Sequence, residues 1–200
     1  MSLFSTLALA MGTAWVSGIN LYAAVATLGL LGRFAHLPLP GQLAVLTHWW
    51  VIAVALALYL IECIADKIPF IDSAWDLAHT FIRVPAGAVL AAAAFGDFDL
   101  EVQVVAVLLG GGLAFSAHGT KATTRAVLNT SPEPVTNMVA SVAEDVVAVG
   151  SILLAAFYPL VLVILVVLGL MIALVVLPRT VKYFRAVLGK RRGKPGKRAP

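Results

Sequence analysis

The sequence predicts an all-α membrane protein of about six transmembrane helices, some broken or re-entrant, with a weak internal repeat. Three observations carry that prediction. Residues of the AVILMFWYC set make up 61% of the 200 residues, mean hydropathy is +0.98, and only 12% of residues are charged. Soluble domains carry about 25% charged residues and at most about half apolar ones, so this composition cannot furnish a water-facing surface. Long uncharged runs recur along the chain, and a basic run follows the last of them. A soluble enzyme, a soluble binding module and a disordered chain are excluded.

A membrane helix needs about 20 mostly apolar residues. The first span is residues 3–32, long for one crossing and interrupted at Gly18-Ile19-Asn20. Ala8-Leu9-Ala10 imitates a signal cleavage site, but the start lacks a basic n-region, which favours a retained first span. The second runs over 44–64 with His48-Trp49-Trp50 near its start, as suits a headgroup interface. The third covers 73–95. The fourth covers 101–118, with a polar helical extension to Leu128. The fifth is 135–157, and the sixth, 160–177, has no polar side chain.

Residues 1–178, the predicted transmembrane domain, hold five Lys/Arg against all ten acids. The tail, 179–200, holds nine Lys/Arg and no acid. A basic run after an apolar helix is the positive-inside signal, so both termini are expected in the cytoplasm of an inner-membrane, multi-pass protein. Anionic lipid headgroups are the expected contact of the tail, and nucleic acid is not expected. Lys67, Lys121 and Arg125 then fall on the inner side and the acidic loop from Asp97 to Glu101 on the outer; Arg33 alone disagrees. Cys63 is the single cysteine, so no intrachain disulfide or thiol metal cluster is expected.

Both halves of the chain run apolar helix, Lys (Lys67; Lys121), Pro-containing turn (Pro69; Pro132 and Pro134), then a helix with one buried charged turn and an Ala-rich end. Paired interrupted segments of this kind point to a transporter's central site. Five helices each offer a polar stripe. Asp76, His79, Arg83 and Gly87 share one face of the third, and Asn137, Ser141 and Glu144 one face of the fifth. Glu62 and Asp66 end the second, Lys121 and Arg125 the fourth, and Asn20 marks the break in the first. A charge at the bilayer centre costs about 2.5–3.5 kcal/mol on insertion scales, so such residues face a partner or water.

The bland reading of these charges is structural, with Arg83 paired to Glu144 or Asp145. His79 and His118 sit on separate helices with no second His one turn away, so no metal is assigned. Asp72 and Ser73 read as a helix cap. Gly110-Gly111-Gly112 reads as close helix packing, because no Lys or Ser/Thr stands at phosphate-loop spacing.

Ser17-Gly18-Ile19-Asn20-Leu21-Tyr22, Ala65-Asp66-Lys67-Ile68-Pro69 with Asp72-Ser73-Ala74-Trp75-Asp76, and Asn129-Thr130-Ser131-Pro132-Glu133-Pro134 together resemble the bacterial and plastid membrane proteins of domain-of-unknown-function family 4126. The resemblance covers nearly the whole chain except the basic tail. It implies a small integral membrane protein and brings no catalytic role, so no residue is assigned one.

The function expected from the residues is a small transporter or channel for an ion or small, anionic solute through a polar path at the bundle centre. The path is expected to use Asn20, Glu62, Asp66, Lys67, Asp76, His79, Arg83, Lys121, Arg125, Asn129, Glu133, Asn137, Glu144 and Asp145. Lys67, Lys121 and Arg125 would form a basic cytoplasmic vestibule. No cofactor is expected; membrane lipids and a second copy of the chain are. The alternatives are a membrane enzyme or flippase acting on a lipid phosphate, with Asp66, Asp72 and Asp76 on Mg²⁺, and a non-catalytic scaffold that uses the tail.

Overall fold

A computed structural model describes residues 2–128 and 134–192. It is helical, with no strand among the described residues. The elements are α1 (Leu3–Phe34), a 3-10 helix (Gly41–Thr47), α2 (Trp49–Ala65), α3 (Pro69–Ala94), α4 (Leu100–Leu128), α5 (Pro134–Phe157) and α6 (Pro159–Arg192). Five of them are long and apolar enough to cross a membrane, and the 3-10 helix with α2, bent by 75°, has the composition of a sixth, broken or re-entrant, span. The chain is a multi-pass membrane protein.

Local chemistry explains the boundaries. Ser2 Oγ accepts the Ser5 amide at 3.1 Å and caps α1. Proline opens α3, α5 and α6, where its fixed φ suits the first turn and its missing N–H costs nothing. Gly41, at φ +55°, turns the chain beneath the end of α3, where a side chain would strike the Ala93 and Ala94 carbonyls.

α1 is the axis of the bundle and packs against all five other long helices. Its most apolar window is 67% buried, against 17% for α6 at the periphery. The surface is inverted relative to a soluble protein. Leu77, Phe81, Leu108 and Leu174 face outward, while Asn20, Glu62, Arg83 and Arg125 are buried. Lipid tolerates the first arrangement and penalises the reverse.

Small residues let the central helices close up. A β-carbon on Gly87 would stand 2.5 Å from both Ser17 Oγ and Ala114 Cβ, and one on Gly18 would collide with the Ala114 carbonyl. Gly110 is pressed against Ala91 in the same way. Gly111 has ordinary contact and Gly112 open space, so one glycine of the triplet makes the close approach.

Several expected boundaries change. α3 begins at Pro69, four residues before the expected start, and runs unbroken through Pro85. Asp72 therefore lies inside the first turn, fully buried, and is not the cap. α6 continues past Pro178 to Arg192, so no break in the helix marks the start of the basic tail.

Candidate functional site

The site starts from the break in α1. Asn20 has φ −147° and ψ 98°, far from helical values, inside an otherwise helical run. Its Oδ1 accepts the Ala23 amide at 2.9 Å, which is the hydrogen bond of an N-cap to its third helical residue. Asn20 thus ends one half-helix and caps the next. Its Nδ2 donates to Asp145 Oδ1 at 3.1 Å, bringing a carboxylate to the positive end of the second half-helix. The Ala23 amide, taken by the Asn20 side chain, is the ordinary helical partner of the Ile19 carbonyl. Lys121 Nζ instead donates to that carbonyl at 3.2 Å.

Around Lys121 the charged residues of four helices meet. Its ammonium lies 3.2 Å from Asp66 Oδ2, 3.4 Å from Glu144 Oε2, 3.6 Å from Glu62 Oε1 and 3.8 Å from Asp76 Oδ1. Arg83 spans Glu62 and Asp76 with bonds of 2.6 and 2.8 Å. Arg125 holds Glu144 through two bonds, at 2.9 and 2.7 Å, and stands 3.6 Å from Asp66 and 3.9 Å from Asp72. It also donates to the carbonyls of Asp66 and Asn137.

Five carboxylates surround three cations in this cluster, all of them buried except Glu144, whose side chain is 19% exposed. Attraction at short range offsets desolvation only where every charge is paired and the remaining lone pairs are satisfied. Here Glu62 Oε2, Asp66 Oδ1 and Asp76 Oδ2 are buried with no hydrogen-bond partner. Among the described residues, five carboxylates stand against three cations in this cluster. Among the described residues no three His, Cys, Asp or Glu side chains are grouped to hold a metal ion.

Two histidines brace the cluster, and their tautomers follow from their partners. His79 Nδ1 meets the Trp75 carbonyl at 2.8 Å, which can only accept, so Nδ1 carries the proton and Nε2 accepts from Tyr22 Oη at 3.0 Å. Trp75 stacks on the same imidazole, centroids 4.4 Å apart. His118 Nδ1 lies 3.3 Å from an Arg83 nitrogen that can only donate. Its Nε2 therefore donates to Thr80 Oγ1 at 2.7 Å, because the Thr80 proton goes to the Asp76 carbonyl.

Two cavities border the cluster. One of about 720 Å³ lies between α1, α4, α5 and α6, with Lys121 and Glu144 in its wall. Another of about 220 Å³ lies between α3 and α4, beside Asp76 and Arg125.

Of the expected path residues, Asn20, Glu62, Asp66, Asp76, Arg83, Lys121, Arg125, Glu144 and Asp145 come together, with His79 alongside through Tyr22 and Trp75. Asn137 contributes its carbonyl to Arg125. Asn129 and Glu133 lie outside the described residues. Arg83 is not paired with Glu144 or Asp145: those stand on α5, and Arg83 instead meets Glu62 at the end of α2 and Asp76 two turns back on its own helix. Among the described residues, Lys67, Lys121 and Arg125 do not form an open basic mouth. Lys121 and Arg125 are buried and saturated with carboxylates, and Lys67 folds back onto the Cys63 carbonyl and sulfur at 2.6 and 2.9 Å. Tyr22 and His118 were not among the expected path residues, and Asp72 was expected only in the Mg²⁺ alternative. Asp72 lies one turn before Asp76 on the same stripe, a signal that the cap reading hid. Ser17 and Tyr22 flank the α1 break but carry no charge to advertise themselves.

The family described as "Domain of unknown function (DUF4126)" matches residues 7–179. No curated protein and no solved structure matches the chain.

Proposed function

The chain belongs to the DUF4126 family, and from its buried cluster we propose that it is a small membrane transporter that moves a proton or another monovalent cation. The observation that carries this reading is the break at Asn20 inside a membrane-crossing helix, with a freed carbonyl and surplus carboxylates gathered at the break. Discontinuous helices at a central ion site are a recurring transporter device. Lys121 is the resident cation, with five oxygens 3.2–3.8 Å from its ammonium. Movement of a proton or ion through the cluster changes which carboxylates it holds. The cavities on two sides of the cluster supply approaches to it.

The sequence reading favoured an anionic solute. All three cations of the cluster already hold carboxylates, which favours a cation over an anion as the species moved. In this reading the protein sits in the inner (plasma) membrane with both termini cytoplasmic. Its tail faces anionic headgroups. An internal inverted repeat and assembly of identical subunits belong to the same reading.

The test is flux in liposomes holding a pH-sensitive dye, with Na⁺ or K⁺ gradients imposed in turn. Protein-dependent proton or cation movement that Glu144→Gln abolishes, while the variant stays folded by circular dichroism, is expected. Flux equal to that of empty liposomes under every gradient would sink the reading.

A further inference from the structure

The 720 Å³ cavity is larger than a proton or a bare ion requires, and falls in the size range of pockets that bury organic ligands. It forms because α4 and α5 have little direct packing and are joined chiefly through Glu144, bound to Arg125 and close to Lys121. Trp15, Val147, Leu154, Leu165 and Leu168 supply an apolar wall. One end is polar. There the Lys121 side chain is only 2% exposed, its ammonium turned into the carboxylate cluster, whereas Glu144 is 19% exposed. Thr120 at the same end gives its proton to the Ser116 carbonyl, so its oxygen can offer only a lone pair. Both Glu144 oxygens are held by Arg125, but the exposed edge of Glu144 and the Thr120 oxygen offer only lone pairs to the crevice, which favours a positive over a negative charge on a hydrocarbon body.

We propose that this crevice binds a lipophilic organic cation, its charge against Glu144 and its apolar body between α5 and α6. That the bound molecule is also cargo rests on the cation-transport reading above; the binding itself does not. Gly150 lines the crevice, and a β-carbon there meets nothing within 4 Å. A β-carbon at this position therefore displaces no neighbour.

The probe pair is tetraphenylphosphonium and tetraphenylborate, nearly identical in shape and opposite in charge, measured by equilibrium dialysis against the full chain in nanodiscs. Saturable binding of the phosphonium, at least tenfold tighter than the borate, is expected. Gly150→Leu should weaken phosphonium binding at least tenfold with unchanged thermal stability, and Glu144→Gln should erase the preference between the two ions. Equal binding of both ions, indifference to Gly150→Leu, or no uptake above protein-free nanodiscs overturns the proposal and leaves bilayer acyl chain as the occupant. Dye-liposome flux separates the two ideas. Phosphonium binding without flux keeps the crevice and refutes transport, whereas flux without binding does the opposite.

Discussion

Arg125 and Glu144 face each other as two parallel forks, Nε to Oε1 at 2.9 Å and one terminal nitrogen to Oε2 at 2.7 Å. This pair joins α4 to α5 across a gap that little other packing fills. The planar guanidinium is required for such geometry, and a lysine ammonium cannot reproduce it. Arg125→Lys is expected to lower stability by about 1.5–3 kcal/mol, read as a fall in melting temperature in detergent. An unchanged melting temperature would show that the fork does not hold α5.

Arg83 should behave as a paired buried charge. Arg83→Met leaves Glu62 and Asp76 short of a partner and is expected to cost about 3–5 kcal/mol. Adding Glu62→Gln to Arg83→Met should recover part of that loss, whereas adding Asp145→Asn should not. Melting curves of the two double variants decide between Glu62 and Asp145 as the partner.

Asn20→Ala removes the cap of the second half-helix and the amide that meets Asp145. The cap alone is worth about 0.5–2 kcal/mol. Amide exchange should rise at the start of the second half of α1 and stay unchanged near its N-terminus. Uniform exchange along the whole helix would mean that the break is not held by this side chain.

Glycine positions separate close packing from open space. Gly18→Leu and Gly110→Leu force α1, α3 and α4 apart and are expected to destabilise by about 1–3 kcal/mol or more. Gly112→Leu, with nothing nearby, should be neutral. Equal effects at all three positions would contradict the described helix approach.

The sidedness is open to cysteine labelling in a Cys63→Ser background. Lys182→Cys should react with an impermeant reagent only from the cytoplasm, and Asp97→Cys only from outside. Labelling of both from one side would contradict six crossings.

The stripe on α3 shows what periodicity can reveal. Asp76, His79 and Arg83 fall on one face by spacing, and all three are buried. The penalty for charge in lipid made that burial predictable. Periodicity says which face turns inward, and is silent on which helix stands opposite it. Arg83 was therefore expected against α5 and is found against α2 and its own Asp76. Asp72 was readable either as a cap or as the next member of the stripe, and only the earlier start of α3 at Pro69 resolves it.

By itself the sequence determined the membrane class, the approximate crossings, the interruption at Asn20 and the identity of nearly every charged residue inside the bundle. Composition and helical period are local properties, and lipid allows few ways to satisfy them. Tertiary structure alone decided that Lys121 sits among five oxygens, that Arg125 rather than Arg83 holds Glu144, and that a crevice opens beside that pair. Those outcomes depend on how closely particular glycines let the helices approach, and on which carbonyl the turn at Asn20 sets free. Both are relations between distant parts of the chain, which no local pattern records.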